Sequence, residues 1–177
     1  GSPILKEWVP RKLYKERKKT NKARLELLYY GIHSGMVGIN KNTLGYDKVL
    51  VDAECTHDGS IRHIKKFENW GWQTLQRRVL DAERMDSVTN LQLRLLTNGF
   101  RLLKVGGTLV YSTCSLTTAQ NEDVVDQFLS KNSCAEVQEI REAKEWPCKS
   151  GRIPYTLRFD PSTSRTSGLF IAKIAKL

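Results

Sequence analysis

Asp52, Cys55 and Cys114 are the side chains whose types and placement suit them for chemistry. A cysteine sulfur is a strong nucleophile as the thiolate, and a carboxyl group beside a reacting atom can hold, share or accept a proton. Both cysteines follow β-rich runs. Tyr46-Asp47-Lys48-Val49-Leu50-Val51-Asp52-Ala53 ends two residues before Cys55, and Thr108-Leu109-Val110-Tyr111-Ser112-Thr113 leads straight into Cys114. In open α/β sheets ligands bind beyond the carboxyl ends of the strands. If these two strands are neighbours, both thiols and Asp52 face one crevice. If they are not, the cysteines are packing at the edge of the core, since a cysteine is equally a small buried hydrophobe. Position alone leaves both readings open.

Cys134 and Cys148 carry no motif and read as structural. No two of the four cysteines form a Cys-x-x-Cys pair, so neither a zinc site nor a disulfide framework is signalled. Free thiols in an intracellular chain are the expectation. His57 and His63, with Asp58, Arg62, Lys65 and Lys66, read as a solvated polar loop with a possible role against phosphates, not as metal ligands. Trp70 and Trp72 suit either base stacking or helix packing, and packing is the ordinary use.

The elements that must position these residues alternate. The unbroken apolar run at 46–53 fits a strand buried on both faces. Residues 54 to 69 read as polar loop, followed by a helix at about 70 to 80 carrying Trp72, Leu75, Val79 and Leu80. A longer helix is predicted over about 87 to 104, from Val88, Leu91, Leu95, Leu96, Leu102 and Leu103 at helical spacing, with Gly106-Gly107 ending it. Thr117-x-x-Gln120 reads as a capping box opening a helix that runs to Asn132. Strands are expected at 135–140 and at 168–174, the last one antiparallel because no helix precedes it. This order implies an α/β fold with a mainly parallel sheet.

The chain has 177 residues, enough for a domain with a core, and no apolar run approaches the ~18 residues that a membrane helix needs. Its formal net charge is +10, with 29 Lys and Arg against 19 Asp and Glu. The excess is local. Arg11, Lys12, Lys15, Arg17, Lys18, Lys19, Lys22 and Arg24 face a single anion, Glu16, within fourteen positions. Such a run favours an anionic partner, nucleic acid first, and these eight residues are the RNA-binding candidates. Two segments are expected: a basic helical and loop segment at 1–45, in which Gly1-Ser2 reads as a cloning remnant, and an α/β segment at 46–177.

Two motifs and a tail carry a family resemblance. Tyr111-Ser112-Thr113-Cys114-Ser115-Leu116, followed by Gln120-Asn121-Glu122, resembles the Ser-Thr-Cys-Ser segment of the Sun/Fmu (NOL1/NOP2/Sun-type) RNA cytosine-C5 methyltransferases. Val51-Asp52-Ala53-Glu54-Cys55-Thr56 resembles that family's Asp-Ala-Pro-Cys-Ser segment. The stretch from Gln92 to Gly107 and the tail from Thr166 to Lys173 are also similar, so the likeness spans about residues 46 to 177. It implies the C-terminal part of a Rossmann-like class I methyltransferase fold whose N-terminal part is missing. It also implies S-adenosylmethionine as methyl donor and rRNA or tRNA as substrate. Cys114 would be the nucleophile adding to cytosine C6, because C5 becomes able to attack a methyl group only once a thiolate has made the ring enamine-like. Cys55 would serve product release. Asp52 would contact the base and stabilise the adduct, besides lying at the cofactor side.

The chain departs from that pattern twice. Glu54 stands where the family has proline, and a carboxylate there is expected to raise the Cys55 pKa. No glycine-rich cofactor turn is recognisable before Tyr46, and Gly35-Met36-Val37-Gly38 reads as an ordinary loop. The rival reading is therefore a non-catalytic RNA-binding or scaffold domain. A DNA cytosine methyltransferase is a weaker third, because the nucleophile of those enzymes sits on a Pro-Cys segment.

Overall fold

Alternation of apolar runs with helical patterns produces a mixed sheet carrying helices. In the computed structural model, residues 45–177 are described. The basic run from Arg11 to Arg24 and the Gly35–Gly38 segment lie outside the described residues.

Strand β1 is Tyr46–Asp52, and the expectation of burial on both faces is corrected: Leu50 is 69% exposed, and only Val49 and Val51 pack against the core. Helix α1 (Ile61–Trp70) occupies a stretch expected to be loop. Its Ile61, Ile64 and Phe67 recur at helical spacing, but only Phe67 is buried, so the apolar stripe is thin. The helix expected at 70–80 is broken into a single turn, α2 (Trp72–Leu75), and a π-type turn at Gln76–Leu80. Trp72 stays 64% exposed, so packing does not account for it, whereas Trp70 meets Phe67 edge-on at 6.0 Å.

Helix α3 (Ala82–Arg101) is capped by Asp81, whose carboxylate accepts from the Arg84 backbone N–H at 2.7 Å. The helix stops at Arg101, before Gly106-Gly107, and strand β2 (Leu103–Thr113) starts almost at once. The glycines serve a bulge. Pairing jumps from Tyr46 opposite Leu103 to Lys48 opposite Thr108, and Gly106 takes φ +80° to turn the extra residues out. Helix α4 is Glu122–Ser130, and β3 is Ala135–Val137, shorter than the strand expected at 135–140. A 3-10 turn (Arg141–Glu145), β4 (Lys149–Ser150), β5 (Leu157–Phe159), the turn α5 (Pro161–Ser164) and β6 (Leu169–Lys176) complete the described chain.

The sheet runs β1-β2-β6-β5-β4, with β3 also paired to β6. β1 and β2 pair in parallel, and β6 adds antiparallel to β2, as expected for the last strand, with only the single turn α5 between β5 and β6. Alternate residues of β2 and β6 face the helices. Leu109, Tyr111, Phe170, Ala172 and Ile174 are fully buried there, against Leu96 and Phe100 of α3 and Val124, Val125 and Phe128 of α4. Each of the larger apolar side chains contributes roughly 1.5–3 kcal/mol by leaving water. Phe100 and Phe128 meet edge to face at 5.1 Å. Gly99 lets α3 lie close on the sheet, since a Cβ there would stand 2.6 Å from Val51 Cγ2. The Lys176 ammonium donates to the Phe100 and Leu103 carbonyls at 3.2 and 2.9 Å, satisfying acceptors left open at the helix end.

Candidate functional site

Parallel pairing puts Asp52 directly opposite Ser112, so the two strands end side by side. Beyond them the chain must turn twice, at 53–60 and at 114–121. Backbone contacts join the two turns to the approach of β6. Gly59 N–H donates to the Cys114 carbonyl at 3.0 Å, and Gly168 N–H donates to the Gly59 carbonyl at 2.7 Å. A Cβ on Gly59 would come within 2.6 Å of the Cys114 oxygen, and one on Gly168 within 2.6 Å of Leu116 Cδ2. Only glycine permits this approach.

Buried polar side chains set the shape of both turns. Asn121 accepts from Thr113 Oγ1 at 2.5 Å and donates to the Ser115 carbonyl at 2.9 Å. Gln120 accepts from the Thr56 N–H at 3.0 Å and donates to Thr56 Oγ1 at 2.8 Å, while Gln92 donates to the Glu54 carbonyl at 2.8 Å. Thr56 and Leu116 both donate to the Asp58 carboxylate. The capping-box reading of Thr117 and Gln120 is thereby corrected. The helix starts at Glu122 with Asn121 at its cap position, and Gln120 cross-links the two turns instead. The helix N-terminus therefore begins later in the chain than the capping-box reading placed it, and carries Glu122 and Asp123 in its first turn.

The sulfurs of Cys55 and Cys114 lie 3.2 Å apart. The crevice reading of the two strand ends is the one the geometry supports. Asp52, Cys55 and Cys114 all line one cavity of about 760 Å³, together with Glu54, His57, Phe159 and residues 166–169. That volume is within the range of small-molecule pockets. Cys55 is buried and Cys114 half-buried. The Asp52 carboxylate is exposed at the end of β1 and accepts from Ser112 Oγ at 3.2 Å.

One residue was missed. His57 is not in a solvated loop: its Nδ1 lies 3.0 Å from the Cys114 sulfur and 3.5 Å from that of Cys55. The backbone at His57 takes φ +59°, a region that costs a side chain strain and is found at functional sites. Its ring stacks on His63 with centroids 4.3 Å apart, and His63 Nδ1 is within 2.9 Å of Ser60 Oγ. No spacing rule relates positions 55, 57 and 114; only the parallel pairing of β1 with β2 brings them together.

The two sulfurs titrate as a pair. The hydrogen bond with Cys114 holds the Cys55 sulfur below the ordinary thiol range despite its burial. The same bond, with burial second, pushes the Cys114 thiol up. The expectation that Glu54 raises Cys55 is thus corrected: the direction is downward, and the carboxylate that opposes it is Asp58.

The family model described as 16S rRNA methyltransferase RsmB/F matches residues 11–175. The chain belongs to this family. It is 33% identical over 140 residues to the tRNA (cytosine(49)-C(5))-methyltransferase of Pyrococcus abyssi, covering 74% of this chain and 42% of that protein. It is 31% identical over 134 residues to the ribosomal RNA small subunit methyltransferase F of Vibrio cholerae, covering 75% of this chain and 26% of the relative. The crystal structure of NSun6 from Pyrococcus horikoshii with SFG superposes with a TM-score of 0.60 at 25% identity, over 78% of this chain and 33% of that one. The chain thus spans less than half the length of these relatives. Family membership accords with the Rossmann-like class I reading, for a partial chain.

Proposed function

We propose that the chain carries the thiol half of an RNA cytosine-C5 methyltransferase, with Cys114 as the nucleophile. The observation that supports it is the pair of sulfurs 3.2 Å apart at the ends of neighbouring strands, on a cavity shared with Asp52. At rest the Cys114 sulfur is in hydrogen-bond contact with both Cys55 and His57. When the Cys114 sulfur forms its bond to C6, its proton passes to the Cys55 thiolate or to His57 Nδ1, both within reach. Electron density moves to C5, and Asp52 at the strand end is placed to hold the base edge. After methyl transfer a base removes the C5 proton, the C6–sulfur bond breaks and its electrons return to Cys114. Cys55 and His57 are the bases beside that sulfur. The target base must leave its stack to enter the cavity.

S-adenosylmethionine supplies an electrophilic methyl group when bound. Among the described residues, Asp52 fits it by charge, its exposed carboxylate facing the cavity and suiting a cationic donor. The substrate class is tRNA or rRNA, as in the relatives' names, and Arg11, Lys12, Lys15, Arg17, Lys18, Lys19, Lys22 and Arg24 supply phosphate contacts in an intracellular setting. The test is trapping with RNA containing 5-azacytidine. The expected result is a denaturation-stable protein–RNA adduct that is absent from Cys114→Ala. No adduct, or one that survives that substitution, overturns the proposal. Glu54 in place of proline favours one rival, an RNA-binding domain without chemistry. That rival gives salt-sensitive RNA binding and no adduct.

A further inference from the structure

We propose that Cys55, Cys114 and His57 form a binding site for a thiophilic divalent cation, zinc best of all. Two sulfurs and an imidazole nitrogen converge within 4.8 Å of one another, in a donor set that suits zinc and not magnesium or calcium. Tetrahedral zinc places two sulfurs roughly 3.8 Å apart, and a sulfur and a nitrogen roughly 3.5 Å apart. The distances here are 3.2 Å between sulfurs and 3.0 and 3.5 Å from His57 Nδ1, so a separation of about half an ångström suffices.

The ligand positions are held from outside. The His57 ring is fixed by its stack on His63, and the Cys114 turn is fixed by the Gly59 N–H on its carbonyl. All three ligands line the cavity, so the fourth position opens to a water or to an incoming group. Binding displaces whatever protons the two sulfurs hold: both sulfurs are thiolates in the complex, the displaced protons leave to solvent, and no electron moves. The site shares Cys114 with the proposed chemistry but does not depend on that reaction. Coordination to zinc draws electron density from the Cys114 sulfur and weakens it as a nucleophile toward C6, so metal binding opposes the proposed reaction.

The experiment is competition between the chain, reduced beforehand, and a chromogenic zinc chelator, with a parallel cobalt titration read by its thiolate-to-cobalt charge-transfer band. One zinc per chain and a charge-transfer band are expected, both lost in the Cys55→Ser, Cys114→Ser double variant and kept in the Cys134→Ser, Cys148→Ser double variant. His57→Gly is compatible with the positive φ and so preserves the turn. It should weaken zinc at least about tenfold, the minimum set by losses at supporting positions around a metal. Absence of stoichiometric zinc in the reduced chain overturns the proposal, as does binding that follows Cys134 and Cys148. Zinc binding without an azacytidine adduct would sink the methyltransferase reading alone, and an adduct without zinc binding would sink this one alone.

Discussion

Two polar clusters lie at the same end of the sheet and are built to opposite ends. In the cysteine cleft, three groups that can exchange protons share their contacts: Cys114 touches both Cys55 and His57, and each of them lines the cavity. In the neighbouring clamp, Glu122 is buried and committed. Its carboxylate accepts from Arg158 Nε at 2.6 Å and is ion-paired to the same guanidinium, which also donates to the Leu116 carbonyl at 2.9 Å. Gln120 and Asn121 are similarly used, although Gln92 Oε1 has no partner among the described residues. The difference teaches how to tell shape from chemistry. A buried polar group with all its partners fixed holds a turn, whereas one with alternative partners beside a cavity can move a proton. The clamp holds the turn that follows Cys114, through Arg158 on the Leu116 carbonyl.

The comparison breaks first at Arg158. Arg158→Met leaves the Glu122 carboxylate buried and unpaired, and should cost roughly 3 kcal/mol, the lower end for a broken buried pair because the arginine is partly exposed. Urea denaturation measures this, and a loss below about 1 kcal/mol would place the clamp among ordinary surface pairs. The acid limb gives the same contrast. Burial raises the Glu122 pKa, but the Arg158 hydrogen bond, two backbone N–H groups and the Arg158 charge together outweigh it and hold it below the usual carboxylate value. Its contribution is therefore present above the unfolded carboxylate range, near pH 4.3, and is lost as pH falls through the folded pKa. In Arg158→Met that acid-sensitive part should shrink, because the largest cause lowering the Glu122 pKa is gone.

Gly59→Ala sharpens the link between the two regions. A methyl group 2.6 Å from the Cys114 oxygen must push the turns apart, at about 1–3 kcal/mol. It should lower adduct yield more than stability alone explains. A smaller effect separates the sulfurs. Alkylation followed against pH should show Cys55 reacting at lower pH than Cys114. Cys114→Ala should shift the Cys55 profile upward, because it removes the hydrogen bond that lowers the Cys55 pKa. An unmoved profile would mean the sulfurs do not share a proton. The smallest effect belongs to Arg152→Ala: its pairs with Asp123 and Asp126, at 2.8 and 2.6 Å, are screened by solvent, and urea denaturation should show no measurable loss.

How much of this was legible in the sequence follows from what each residue's signal depends on. Strands β1 and β2 announced themselves as apolar runs, and the cysteines at their ends were visible for that reason. Helix α1 was hidden because its apolar stripe is only Ile61, Ile64 and Phe67 among charges. The Gly106-Gly107 pair signals a turn equally well at a helix end or inside a strand, and only the pairing register distinguishes the two. Gln120 fits a capping box locally, yet its partner is Thr56, 64 positions away. His57 was lost for the same reason: its meaning lies in a sulfur 57 positions later.

The most direct measurement is the location of the trapped base. After adduct formation with 5-azacytidine RNA, trypsin releases Cys114 on the peptide 105–131 and Cys55 on the peptide 49–62. The account predicts that the nucleotide mass is carried by 105–131, at Cys114, in the chain with both cysteines present. Nucleotide mass on 49–62 would mean that the sulfur of lower pKa is the one that attacks, and the assignment of Cys114 as nucleophile would be wrong.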